Sequence, residues 1–488
     1  MDGLGLPAPS IAESSNPAVV HFNLLRPFHA PVSSDPGRQA FALADVNGDR
    51  VLDLVVADQL HFTMDVYLGN GDGTFTFVHD YYADVDPKAV AVTDLTSPPA
   101  SGLGGAPDGI PDVVVGAERT VWIFAGHGDG SFEKSHDLTD VAGVQNPIGF
   151  FLGDFNGDGR TDIAIGENYV GRGVVFLCYA NGSFAQCDPH SDYTATAQGV
   201  IRIAGGDFNG DGALDVAALS YAGDLSILLG NGAGGFAAQP AFSVRSEGTY
   251  PLDFVSTYGL AHGGKDDLIV ANLGTFPFGS GNRFGVTVSG RPDGGFCTNS
   301  FVMEPETNGV ALADFTGDEI PDLIATTREL CPYPPLTVSL GAGAGVCSTG
   351  NSGFSDDFFQ PGGTGSRPDC PTLDSDASVI AAADLGGDAL PDFLVLQLDG
   401  TMRVGINDTQ TPFVPTVRPE LTCVGDCRQP GVVDVSDLIT GVDIMFGRLP
   451  GSACPSLADR RCRVDIARMI EAVNAALNGC VPGVPDCR

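Results

Sequence analysis

Short apolar runs rich in β-branched residues alternate with polar, glycine-rich breaks along most of this chain. Leu54-Val55-Val56 and Ile163-Ala164-Ile165 are examples. Runs of this length, bounded by turn residues, predict strands. Each run follows a short acidic phrase. Some 15 to 20 residues after most phrases comes a glycine-rich turn ending in Phe, as in Leu68-Gly-Asn-Gly-Asp-Gly-Thr-Phe75 and Leu229-Gly-Asn-Gly-Ala-Gly-Gly-Phe236. Related turns end at Phe132 and Phe296. The period changes after Pro419. There Val435, Leu438, Ile439, Val442, Met445 and Phe446 fall on one helical face, and Ile466, Met469, Ile470, Val473 and Leu477 on another. The pattern predicts a mainly β body followed by a small two-helix domain.

The acidic phrase places side-chain oxygen at positions 1, 3, 5 and 9, with Gly at position 4 for a tight turn. Its members are Asp45/Asn47/Asp49/Asp53, Asp154/Asn156/Asp158/Asp162, Asp207/Asn209/Asp211/Asp215 and Asp314/Thr316/Asp318/Asp322. Thr316 is a weaker third-position ligand than Asn. A fifth phrase, Asp384/Asp388/Asp392, has Gly386 at position 3. Alternate carboxylates and a main-chain carbonyl at position 7 are how a chain wraps a hard cation in oxygen. Val51, Arg160, Ala213, Ile320 and Leu390 would supply that carbonyl. A sixth phrase is interrupted: Asp94 and Thr96 precede a Gly/Pro-rich insertion that must bring Asp108 and Asp112 back to them. A seventh, counted from Asp253 and resuming at Lys265-Asp266-Asp267, has no recognisable middle and is expected to hold no ion. In the first loop Arg50 stands where intact members have Gly, which strains the turn but removes no ligand.

Seven units starting at 45, 94, 154, 207, 253, 314 and 384, each with about four short strands, indicate a repeat array or propeller. The pattern resembles the FG-GAP/VCBS repeats of integrin-type seven-bladed β-propellers, over roughly residues 18 to 420. The resemblance implies that the acidic loop joins the first two strands of a blade and holds a structural calcium ion. It also implies that one terminus completes the blade built by the other. Val20-His21-Phe22-Asn23-Leu24-Leu25 and Phe413-Val414-Pro415-Thr416-Val417 compete for that place, with the N-terminal strand favoured. Residues 421 to 488 resemble a dockerin-like pair of EF-hand half-motifs, after an N-terminal extension of residues 1 to 17. The departures matter. Arg428 and Pro430 occupy ligand positions of the first half-motif; in the second, Arg461 and Arg468 occupy ligand positions and Cys462 replaces the turn glycine. Arginine does not ligate a cation, so both half-motifs read as metal-free, and the lost ligands argue against a cohesin partner.

Charge narrows the partners. A net charge of −37 over 488 residues repels nucleic acid and anionic membranes. No run of 18 apolar residues predicts a transmembrane helix, and the first residues lack a basic-then-apolar signal, so a leader is absent or was removed before residue 1. Twelve cysteines point to an oxidising, extracellular setting. Cys178 and Cys187 flank an Asn181-Gly182 turn and are expected to pair across a hairpin. Cys297, Cys331, Cys347 and Cys370 allow three connectivities. Cys423, Cys427, Cys454, Cys462, Cys480 and Cys487 would staple the C-terminal domain.

Catalytic chemistry is not legible. The eight histidines show no metal-ligand spacing, no Gly-x-Ser-x-Gly occurs, and the repeated loops account for most carboxylate pairs. The insertions at 96–107, 271–284 and 347–376 are where loop-borne function would lie. The expectation is an extracellular, calcium-stabilised module that binds a protein or glycan. A self-assembling structural subunit and a polysaccharide-active enzyme are the alternatives.

Overall fold

The computed structural model describes residues 22–29, 40–95, 108–137, 146–169, 172–178, 193–196, 199–244, 250–258, 265–273, 285–291, 295–301, 303, 307–317, 320–327, 336–341, 354–359, 377–397 and 399–408. The chain divides into two compact units, Met1–Thr411 and Pro412–Arg488, and every described residue belongs to the first. The expected C-terminal helices and their six cysteines lie outside the described residues, as do residues 1–17.

The strands begin with β1 (Phe22–Leu24) and β2 (Phe28–His29). Next come β3–β6 (Phe41–Ala44, Asp53–Asp58, Thr63–Gly69, Phe75–Tyr82) and β7–β10 (Ala89–Thr93, Asp112–Gly116, Val121–Gly126, Phe132–Asp137). Then follow β11–β14 (Pro147–Gly153, Asp162–Tyr169, Arg172–Cys178, Tyr193–Thr196) and β15–β19 (Val200–Gly206, Asp215–Ser220, Asp224–Gly230, Phe236–Ala238, Phe242–Ser243). The series ends with β20–β23 (Tyr250–Tyr258, Asp266–Leu273, Gly285–Gly290, Phe296–Phe301), β24–β27 (Thr307–Ala313, Asp322–Thr327, Leu336–Gly341, Phe354–Phe359) and β28–β30 (Ala377–Ala383, Asp392–Gln397, Thr401–Asn407).

Among the described residues these strands form seven antiparallel sheets, with neighbours in chain order except where β19 pairs with β17 and, in the last, where β1 and β2 pair with β30. No helix occurs among them, so none is long and apolar enough to cross a membrane.

The second strand of each sheet is apolar on both faces, and the packing explains why. Leu54 and Val56 of β4 pack against Leu394 and Leu396 of β29. Val55, between them, points the other way, onto Val90 and Val113 of the β7–β10 sheet. Alternate residues of one strand thus enter two different cores. A strand buried on both faces reads as an unbroken apolar run. The same alternation repeats from sheet to sheet. Ile163 and Ile165 face the β7–β10 sheet, while Ala164 faces β15 and β16. Further cores join β15–β19 to β20–β23, β20–β23 to β24–β27, and β24–β27 to β28–β30. First strands of successive sheets are neighbours. The arrangement is a β-propeller.

The chain's two ends meet in the last sheet. β1 pairs antiparallel with β30, with Phe22 opposite Asn407 and Leu24 opposite Gly405. Phe22 is buried, its ring edge-on to Phe393 at 4.8 Å and Phe315 at 5.6 Å. The N-terminal strand therefore fills the outer place; the competing segment, 413–417, lies outside the described residues.

Candidate functional site

The acidic loops connect first to second strands: β3 to β4, β7 to β8, β11 to β12, β15 to β16, β24 to β25 and β28 to β29. Each is wound by its own side chains. In the first loop Asp45 Oδ1 accepts the N–H groups of Gly48 (2.7 Å) and Asp49 (3.2 Å), and Oδ2 that of Arg50 (2.7 Å). Asn47 Oδ1 accepts from Asp49 N–H, and Asp49 Oδ1 from Val51 N–H. Side-chain oxygens that capture backbone donors two to five residues ahead hold the chain in a turn. Asp154, Asn156 and Asp158 repeat the scheme, as do Asp207, Asn209 and Asp211. Asp384 and Asp388 do so without a side chain at position 3.

The interrupted loop is closed in the same way. Asp94 accepts the N–H groups of Asp108 and Gly109, and Asp108 that of Ile110. Asp108 therefore takes the fifth position and Asp112 the ninth, across the insertion. Thr96 and Asp318 lie outside the described residues.

The loop at Asp314 carries Thr316 at its third position. Asp314 Oδ1 accepts Gly317 N–H at 2.7 Å, as the other loops would have it. The Thr316 hydroxyl, however, turns back and donates to that same Asp314 Oδ1 at 3.4 Å, while Thr316 N–H donates to Asp322 Oδ2 at 3.2 Å. Spacing assigned Thr316 the ligand place that Asn47, Asn156 and Asn209 hold. An Asn carbonyl oxygen only accepts; a Thr hydroxyl both donates and accepts. Thr316 thus donates to Asp314 while its hydroxyl oxygen keeps two lone pairs.

Position 6 of the loop has left-handed backbone. Gly109, Gly159 and Gly212 supply it freely, with φ of 85°, 80° and 86°. Arg50 and Ala389 are forced into it at φ 70° and 68°.

The ninth residue plays a part that spacing alone did not reveal. Asp53 is fully buried. Its Oδ2 accepts Val46 N–H within the loop, and its Oδ1 accepts Gly69 N–H from the glycine-rich turn. Asp112, Asp215, Asp322 and Asp392 make the matching pair of bonds, to Gly126, Gly230, Gly341 and Asn407 on the turn side. The acidic phrase and the glycine turn are thus two halves of one site, clipped by a buried carboxylate. Asn407 fills this place in the last sheet, but in the sheets of Gly69, Gly126, Gly230 and Gly341 only glycine fits. A Cβ on Gly69, Gly126 or Gly230 would sit 2.2, 2.1 or 2.1 Å from the carbonyl oxygen of the residue preceding that aspartate.

The turn also reaches across to the previous sheet. Gly73 N–H donates to Leu385 O, and Gly234 N–H to Phe155 O, each the second residue of the preceding sheet's acidic loop. Loop order and sheet-to-sheet docking are therefore mechanically linked.

Burial and crowding leave negative charge undercompensated here. Burial raises the Asp215 carboxyl to about 7, and the charges of Asp211 and Asp207 add to the rise. Asp53 and Asp392 are raised for the same leading reason, despite two and three backbone donors. As the side chains stand, no group of three or more His, Cys, Asp or Glu among the described residues is placed to hold a metal ion. The donor chemistry nevertheless fits a hard cation: oxygen only, carboxylates fixed by the backbone with lone pairs to spare, and a buried anion beside two more.

The seventh phrase needs correction. Asp253 does not open a loop; it lies inside β20, opposite Ala271. It is buried against Arg202 Nε at 3.1 Å and accepts Val310 N–H from the next sheet. Its carboxyl is raised by burial, with Arg202 opposing. Sequence spacing paired Asp253 with Asp266 and Asp267 because both flank a gap of ordinary loop length. The register instead puts Asp267 level with Thr257 near the strand end, bonded to the Ser289 hydroxyl. Asp266 leans out to accept Asp207 N–H at 2.7 Å, in the neighbouring acidic loop. No signal within one repeat could have located that contact. The insertion placed at 271–284 begins later, since β21 runs to Leu273. Cys297 on β23 is disulfide-bonded. The proposed partners Cys331, Cys347 and Cys370, and Cys187 of the other expected pair, lie outside the described residues.

Comparison with known proteins places the repeat. Residues 107–165, which run from the second half of the interrupted loop through the loop at Asp154, match the family described as FG-GAP-like repeat. No curated protein matches the chain. Among solved structures it is similar to BBS1N, crystallised in complex with ARL6DN and soaked with mercury: 12% identity, TM-score 0.50, covering 80% of this chain and 99% of that one. It is also similar to the N-terminal domain of Nup159, at 13% identity, TM-score 0.42, and coverage of 80% and 96%. An Agrocybe aegerita lectin that recognises non-reducing terminal N-acetylglucosamine matches at 17% identity, TM-score 0.43, and coverage of 66% and 79%. The likeness to BBS1N is one of fold: this chain is a mainly β propeller that carries an FG-GAP-like repeat.

Proposed function

We propose that this chain is an extracellular, calcium-stabilised recognition module built as one seven-bladed propeller. The carrying observation is the recurrence of one construction in five sheets. An acidic turn wound by backbone donors lies beside a buried ninth-position aspartate that clips it to the glycine turn. In a sixth sheet the buried Asp162 accepts Phe155 N–H in the same way. Solubility alone does not call for buried carboxylates beside other carboxylates; a cation does. Asp45, Asn47, Asp49, Asp53 and the Val51 carbonyl would hold one ion, and the homologous sets, with Thr316 the weaker third ligand of its loop, the others. Bound calcium supplies positive charge that neutralises the loop. The loop carboxylates then serve architecture, which is why we assign recognition and not turnover. The twelve cysteines support an oxidising setting. The partner is a protein or glycan, and the C-terminal domain is metal-free and disulfide-stapled.

With calcium near about 1 mM and a dissociation constant of about 10⁻⁴ M, each site adds about 1.4 kcal/mol by mass action. Five such sites add roughly 7 kcal/mol, the scale of a whole domain's stability. The test is thermal unfolding of the purified chain in calcium and in excess chelator, with calcium stoichiometry by calorimetry. A fall in the midpoint of many degrees on chelation is expected. An unchanged curve would overturn the proposal.

A further inference from the structure

Five non-glycine residues have left-handed backbone among the described residues. Arg50 and Ala389 are explained by the acidic loops. The other three stand together: Phe62 (φ 64°), Asp84 (φ 77°) and Asp86 (φ 58°). Ala83 N–H donates to Phe62 O at 2.9 Å, and Thr63 is paired with Tyr82, so the β4–β5 turn and the β6–β7 connection form one surface. Each such residue costs about 1–2 kcal/mol.

Apolar side chains stand in water beside this strained backbone. Leu60 (69% exposed), Phe62 (41%), Tyr82 (61%) and Val85 (45%) all lie on this surface, and Phe77 (50%) lies further along β6. Only Leu24 and Tyr221 complete the set of exposed large apolar residues among those described.

The rim is acidic. Asp80 and Glu118 are exposed, Asp84 and Asp86 are partly so, and Asp58 and Asp65 lie behind. Glu118 joins the surface through its N–H bond to Val85 O. Most nearby cations are already engaged. His61 Nδ1 is 2.6 Å from Asp58, Lys88 is held by Asp86 and Asn146, and Lys134 lies 3.4 Å from the Trp122 ring centre and donates to Tyr82 O. Arg119 follows Glu118 in the same turn.

We infer that this face is a docking site for a cationic, apolar-bearing polypeptide segment of another protein. The inference rests on the recognition reading above and gives it a place and a partner class. Of Leu60, Phe62, Tyr82 and Val85, only Tyr82 joins a ring on which a sugar could stack to a polar atom that could bind it, while the other three offer apolar area, which favours protein over glycan. The acidic rim selects basic residues. A second copy, carrying a net charge of −37, would be repelled.

The experiment is selection of a random short-peptide library on the immobilised full chain, followed by affinity measurement on variants. Enriched peptides should be rich in Lys and Arg with interspersed apolar residues. Phe62→Gly relieves the backbone strain, so it should raise the melting midpoint while weakening a selected peptide about tenfold or more. Tyr82→Ser should weaken it similarly with the fold retained, and Asp80→Asn with Asp84→Asn should flatten its salt dependence. Enrichment without cationic bias, or unchanged affinity in both apolar variants, would overturn the site while leaving the recognition reading intact. Oligosaccharide binding lost in the same variants would overturn the partner class. Failure of the full chain to retain either peptide or oligosaccharide would overturn both readings.

Discussion

At the scale of single residues, backbone conformation decides more than chemistry does. Arg50 and Ala389 sit in the left-handed region where other loops use glycine. Arg50→Gly and Ala389→Gly should each stabilise the protein by about 0.5–1 kcal/mol, read as a shift in denaturant midpoint. Gly230→Ala should do the reverse, by about 3 kcal/mol or more, since its Cβ would meet Leu214 O at 2.1 Å. His61 and Asp65 give a pH signature. Its hydrogen bond and ion pair with Asp58 raise His61, and burial raises Asp65 to about 6. In both cases the folded state holds a proton that the unfolded chain releases more readily. Raising pH therefore favours unfolding through either group. Stability conferred by His61 is present below its unfolded value near 6.5 and is lost as pH rises through its higher folded value. For Asp65 the loss falls between its ordinary 3.8 and about 6. Protection of the β4–β5 turn amides, taken relative to the intrinsic base-catalysed exchange rate at each pH, should be greater at pH 5 than at pH 8. Asp65→Asn with His61→Gln should remove the difference; if the double variant keeps the full dependence, these groups are not its source.

At the scale of elements, the decisive features are joins. The ninth-position aspartate ties an acidic loop to a glycine turn, and the turn docks on the preceding sheet. Asp158→Ala should therefore weaken one calcium site, visible as one fewer ion by calorimetry, while the other loops keep theirs. Asp215→Ala should do more, because Gly230 and Phe208 N–H groups both lose their acceptor. The β1–β30 pairing is the other join. Phe22→Ala should cost about 3 kcal/mol by cavity formation between Phe315 and Phe393, measurable in chemical denaturation.

At the scale of the whole molecule, the cores between successive sheets form a continuous series that returns from β28–β30 to β3–β6. A sheet in such a series has no core of its own. Destabilising one interface should broaden or lower a single unfolding transition of the propeller and not release one sheet alone. Stepwise calcium loss during a chelator titration, followed by one cooperative transition in calorimetry, is the expected behaviour.

Much of this was readable in one dimension because the repeat is local. Strand, acidic turn, strand and glycine turn lie within a few dozen consecutive residues, and spacing of 1, 5 and 9 is a property of the chain itself. Even the interrupted loop was legible, since Asp108 and Asp112 keep their own spacing after the insertion. The third position varies within the same spacing: Thr316 stands level with the loop asparagines, and its hydroxyl donates to Asp314. The sequence also offered two strands for the last sheet, and only pairing to β30 placed the N-terminal one there. It misread Asp253, whose carboxylate answers an arginine one sheet away, not a loop. It carried no sign that Asp266 serves the loop at Asp207, or that the ninth aspartate bridges two motifs. Nor did it show that Leu60, Phe62, Tyr82 and Val85 share an exposed face. Local spacing records what a residue does for its own turn. Contacts between sheets depend on register and twist, which are set only when the cores close, and there tertiary structure alone decides.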